Sequence, residues 1–193
     1  MRWSPFSHTE CSKMESISVF EIIKIGVGSS SSHTMGPWKA AQMFSDLLEK
    51  NGTLGTVSHV QVLFYGSLAL TGVGHGSDVA VLLGLSGYDY KRIDTSKIPL
   101  LIDDIRGSKI LRLKGKYEIS FSCNDDIIYE SRKTLPRHPN GLKFDARFES
   151  GAQFPEEYYS VGGGFVLTGN EDYVASEVTR PRYACHNAVS IEQ

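Results

Sequence analysis

Apolar and polar positions change period along the chain. Over residues 38–50 the apolar side chains Trp38, Ala41, Phe44 and Leu47/Leu48 recur every three or four positions, which predicts an amphipathic helix with one inner face. Ahead of it, residues 19–25 are an apolar run at helical or strand spacing. Residues 51–56 make a turn, and Val57–Tyr65 alternates as a strand with His59 on one face. Residues 66–71 lead into a second punctuated stretch, Gly72-Val73-Gly74-His75-Gly76-Ser77-Asp78, with an apolar helix predicted from Val79 to about Leu85 and a third short helix over 99–106. The later chain turns to strands. Residues 109–113, 117–122 and 127–130 read as a meander or hairpin parted by Lys114-Gly115-Lys116 and Asn124-Asp125-Asp126. His138-Pro139-Asn140-Gly141 is a tight turn, with His138 assigned to it, and it opens another strand over 142–148. Beyond Thr168 no period is visible.

Two turns break this pattern in the same way, each a turn carrying one histidine ahead of a helix start. The first is Gly26-Val27-Gly28-Ser29-Ser30-Ser31-Ser32-His33-Thr34-Met35-Gly36-Pro37. A serine tract between polar flanks is ordinarily a linker. These serines lie between an apolar run and a helix, so they belong inside a domain, where their hydroxyls need partners. Pro37 suits the first helical position, which would set His33 and Thr34 beside the free N–H groups of the first turn, an anion-attracting place. In the second turn Ser77 or Asp78 is available as the helix cap. Gly72, Gly74 and Gly76 have the wrong spacing for a dinucleotide fingerprint, no Gly-Lys-Ser/Thr closes a phosphate loop, and no Gly-x-Ser-x-Gly elbow supports hydrolysis. A third stretch, Gly162-Gly163-Gly164, sits in a strand-like run, where it is either a bulge or a place of close backbone approach.

Composition narrows the classes. The chain has 193 residues with 40% hydrophobic content, enough for a real core. A net charge of −2 leaves no basic footprint for nucleic acid, and no apolar run approaches the ~20 residues of a membrane-spanning helix. The opening residues 1–7 lack the apolar core of a secretory signal, which reads as a loose leader and a cytoplasmic setting. Cys11, Cys123 and Cys185 are odd in number and never in a CxxC pair, so they read as ordinary reduced thiols. The expected organisation is a leader over 1–15, one domain over 16–168 and a linker or disordered tail over 169–193.

Four stretches together, SVFEIIKIGVGSSSSHTMGPWKAAQMF, GSLALTGVGHGSDVAVLLGL, HPNGLKF and YYSVGGGFV, resemble the N-terminal β domain of iron–sulfur-dependent L-serine dehydratase, in the same order. The resemblance runs from about Ser18 to about Leu167. It implies a lyase that takes L-serine to pyruvate and ammonia, with a [4Fe–4S] cluster as Lewis acid on the substrate hydroxyl. His33 and His75 are then the candidate catalytic residues. Ser30, Ser31, Ser32, Thr34, Gly74, Gly76 and Ser77 are the candidate substrate-binding residues. The family's cluster ligands come from a separate α domain, and the three cysteines here match none of them, so the chain itself carries no expected metal ligand and is expected to be inactive alone.

The implied partners are L-serine and an α domain or α chain, and the reading allows a homo-oligomer. The implied fold is α+β (mixed α/β), with helices packed on a mainly antiparallel sheet, similar to the allosteric substrate-binding domain of some phosphoglycerate dehydrogenases. That likeness supplies the rival expectation of a non-catalytic module binding an anion or L-serine.

Overall fold

The computed structural model describes residues 30–169. The apolar run at 19–25, the leader, and the tail from residue 170 onward lie outside the described residues.

The sheet is built around the alternating segment of the early chain. Strand β1 (Val57–Tyr65) buries Val57, Val60, Val62 and Phe64. It pairs antiparallel with β5 (Gly141–Phe148) in the register Val62↔Phe144, and β5 pairs antiparallel with β6 (Gln153–Gly162), which pairs with β7 (Phe165–Thr168). On its other side β1 takes β4 (Ile127–Glu130) in parallel, so the five strands lie in the order β4-β1-β5-β6-β7. The fold is α+β with a mainly antiparallel sheet.

A parallel neighbour needs a long crossover, and the segment from Gly66 to Asp126 supplies it. It holds helices α2 (Gly66–Thr71), α3 (Ser77–Leu85) and α4 (Ile98–Ser108), the hairpin β2 (Ile110–Leu113) and β3 (Tyr117–Ser120), and a helical turn α5 (Cys123–Asp126). Helix α1 (Gly36–Lys50) precedes β1 and lays Trp38, Ala41, Phe44 and Leu48 into the core, with Leu47 only half buried. The Phe44 ring stacks on Phe144 at 4.9 Å. Helix α3 is apolar on all sides and buried from Ala80 to Leu85, as a helix inside a core must be. Its closest approach to α1 is at Gly84, where a Cβ would lie 2.5 Å from the Trp38 carbonyl oxygen.

Three sequence expectations are corrected, and one left open between two readings is narrowed. The three later strands are not one meander. β2 and β3 form a separate two-stranded sheet, while β4 is drawn to β1 because the buried Asp126 carboxylate accepts from the Ser122 N–H at 2.7 Å and lies 3.1 Å from His59 Nε2. His59 is therefore a tether between β1 and α5 and not merely a strand-face residue. Residues 66–71 are a short helix. Gly163 and Gly164 form the turn between β6 and β7 while Gly162 closes β6, and all three have positive φ (96°, 58° and 72°), with a register shift between Ser160 and Gly162. Their backbone conformation, which side chains resist, accounts for the glycines without any bulky neighbour.

Candidate active site

The serine tract is helical. Ser31–Met35 is one π-helical turn running straight into α1, with Ser30 in extended conformation as its N-cap, its Oγ accepting from His33 N–H at 3.3 Å. The leading N–H groups of this helix thus belong to Ser31 and Ser32 and not to residues beside Pro37. Pro37 sits in the first turn of α1, where its missing N–H is tolerated.

His33 projects from that turn between two hydroxyls. Its Nδ1 is 2.9 Å from Ser32 Oγ and its Nε2 is 3.1 Å from Ser67 Oγ. A neutral imidazole carries one N–H and one lone pair, so one of these serines donates to the ring and the other accepts. Ser30 Oγ lies 3.4 Å from Ser32 Oγ and extends the chain of hydroxyls. Burial, with the nearby His75 adding to it, holds the His33 imidazole below its ordinary value of 6.5 against a smaller opposing contribution from Ser67. Burial thus favours the neutral form of the ring. The His75 ring is tilted beside it at a centroid separation of 5.1 Å.

The two histidine loops are stitched together through their backbones. Thr34 Oγ1 donates to the His75 carbonyl at 2.9 Å, and Ser77 Oγ donates to the His33 carbonyl. Ser77 is thus not the cap of α3, nor is Asp78. Gly76, in the left-handed conformation at φ 67°, holds that position without a side-chain bond, and Asp78 pairs with Arg106 at 3.2 Å. Ser31 is exposed, its carbonyl taking the Gly36 N–H. Gly74 is also exposed, with no described atom within 4 Å of where a side chain would begin.

Sequence reasoning did not assign the outer frame. β1 gives way to α2 at Gly66, whose positive φ (53°) turns the chain so that Gly66 N–H donates to the Lys133 carbonyl and Ser67 N–H to the Pro139 carbonyl. This seats Ser67 against His33. From β6, the fully buried Ser160 donates through Oγ to the Ser32 carbonyl at 2.7 Å. Asn140 exchanges backbone and side-chain bonds with Ser160, donating from Nδ2 to the Ser160 carbonyl at 3.2 Å and accepting Ser160 N–H. His138 Nδ1 in turn accepts from Asn140 N–H at 3.0 Å, so that histidine holds the turn as expected. The signal for Ser160 was its register. A serine two places after the core residue Tyr158 points inward, and a polar group there needs a partner.

A family model described as serine dehydratase beta chain matches residues 18–171. The chain belongs to that family. It is similar to the L-serine dehydratase of Streptomyces coelicolor, 44% identical over 162 residues, which are 83% of this chain and 35% of that protein. It is 45% identical to the L-serine dehydratase of Helicobacter pylori strain J99 over 159 residues, 82% of this chain and 34% of the relative. With L-serine dehydratase TdcG of Escherichia coli K12 the identity is 39% over 174 residues, 89% of this chain and 38% of the relative. The chain spans about a third of the length of the curated relatives it matches. No helix among its described residues is long and apolar enough to cross a membrane.

Proposed function

We propose that this chain supplies the β portion of an L-serine ammonia-lyase and that an α portion outside it completes the site. The observation that carries the reading is the His33 ring, held at both nitrogens by Ser32 and Ser67 with His75 alongside. Elimination of water from L-serine removes the α-proton and the β-hydroxyl, leaving aminoacrylate, whose imine form water hydrolyses to pyruvate and ammonia. A neutral imidazole is the form that accepts a proton. In this reading the serine hydroxyl that donates to the ring rotates off it, and His33 takes the α-proton on the lone pair so freed. The serine on its other nitrogen keeps the ring oriented, and both hydroxyls accept N–H once the ring is charged. The N–H groups of Ser31 and Ser32 and the Ser30 and Ser32 hydroxyls orient the substrate carboxylate. His75 exchanges protons on the leaving-hydroxyl side.

A [4Fe–4S] cluster, when bound, supplies a Lewis acid for the departing hydroxyl. Among the described residues no group of three or more His, Cys, Asp or Glu could hold a metal ion, so these residues do not fit the cluster; in this reading the α portion carries its ligands. The rival reading of an anion or L-serine sensor draws less support from the same observation, since anion capture gains from a charged imidazole and burial drives His33 toward neutral.

The test is anaerobic co-expression with the part of the Streptomyces coelicolor relative that this chain does not match, followed by measurement of pyruvate formed from L-serine. His33→Ala and His75→Ala should each lower turnover by ~10² to 10⁴, the usual contribution of a positioned proton-transfer group, while His59→Ala leaves it near wild type. Binding of L-serine by the assembled protein without pyruvate would favour the sensor and overturn the lyase.

A further inference from the structure

We propose that the uncharged surface made by Leu70, Thr71, Val73 and Gly74 beside the two histidines is the face on which the α portion docks, an inference that rests on the lyase reading and names its contact. Residues 66–77 contain no Asp, Glu, Lys or Arg, in a chain of which 22% is charged. Within them Leu70 is 69% and Val73 64% exposed. Isolated exposed aliphatics are ordinary. These two are not isolated from the site. Leu70 follows Ser67 by three residues, which puts it on the side of α2 that carries the hydroxyl bonded to His33, opposite the buried Leu68 and Ala69. Val73 opens the turn Val73–His75 that delivers His75. The apolar surface is thus bracketed by the two residues that frame the imidazoles.

Such a surface can be covered without desolvating a charge, and covering it would shut water out at the edge of the site. The occupant is fixed by proportion. About two thirds of each relative's length lies outside what this chain matches, and that remainder must reach the histidines if the chain is the β portion of the same enzyme.

The experiment is thiol labelling with a maleimide, read peptide by peptide by mass spectrometry. Leu70→Cys and Val73→Cys are made in this chain, and cysteines are placed at the matching positions of the full-length Streptomyces coelicolor relative. Leu100, 72% exposed on α4, serves as the control position in both proteins. Labelling at 70 and 73 should be fast in this chain and slower by on the order of tenfold or more in the relative, as expected where labelling must await opening, with position 100 equally fast in both. Equal rates at 70 and 73 would overturn the proposal. So would protection in this chain alone that grows with protein concentration, since it assigns the face to a second copy. Because the readout needs no turnover, a failed pyruvate assay and a failed docking proposal are told apart.

Discussion

At Gly36 helix α1 packs directly against Ser160 of β6, and replacing it isolates one contact. Its φ and ψ (−61°, −54°) are ordinary helical values, so alanine there meets no backbone strain. An added Cβ would instead lie 1.8 Å from Ser160 Oγ and 2.6 Å from Ser160 Cβ. Ser160 is fully buried and cannot swing aside without surrendering its bond to the Ser32 carbonyl. Overpacking of this kind costs about 1–3 kcal/mol. Loss of the hydrogen bond costs about 1 kcal/mol more, and the better helix propensity of alanine returns a similar amount. Contacts this short place Gly36→Ala near the upper end, close to 3 kcal/mol, or a melting temperature lower by roughly 6–12 °C for a chain of this size. The double variant Gly36→Ala/Ser160→Gly removes both clashing atoms and should regain more than half of that loss, although glycine in a strand costs about 0.5–1 kcal/mol. Thermal unfolding of wild type, both single variants and the double variant completes the cycle. Additive losses, or a Gly36→Ala protein that melts with wild type, would refute the reasoning.

Burial holds His33 and His138 below 6.5, so the unfolded chain takes up protons at pH values where the folded chain does not. Their contribution to stability is complete above 6.5 and is lost as the pH falls through the folded values; urea midpoints should decline from pH 7 toward 5, less steeply for His33→Gln/His138→Gln, and an identical slope would count against it. His59→Ala removes a partner of the buried Asp126 carboxylate and should cost about 1–3 kcal/mol in urea unfolding while sparing turnover of the assembled enzyme. Gly163→Val forces a β-branched residue to φ 58° and should cost the isolated chain roughly 1–3 kcal/mol; an unchanged melting temperature with lost activity would restore a contact role for that turn.

How much was legible in the sequence depended on how local each determinant is. Helix α1, strand β1 and helix α4 announced themselves through period alone, to within two residues at either end. The pairing of His33 with His75 was legible only as two similar loops, because nothing in a sequence states that Thr34 and Ser77 will reach across to the opposite loop's carbonyls. α2 escaped because six residues that open on one glycine and run into another carry too little period to separate a helix from a loop. The separation of β4 from the β2–β3 hairpin rested on one buried carboxylate, Asp126, which in sequence looked like part of a polar turn. The triple glycine left two readings open in the sequence, a bulge or a close backbone approach, and the register shift with three successive positive φ values favours the first.

Ser160 reaches the Ser32 carbonyl across 128 positions of chain. Contacts that close so large a loop come late in folding, after helices and hairpins have formed locally. A chain with α1 and α3 in place but β6 not yet paired to β5 would display its serines and histidines without the strand that fixes them. Acquisition of the site is accordingly tied to the last sheet-forming step, and a nick or edge-opening near β6 disarms the chain while leaving its helical signal intact.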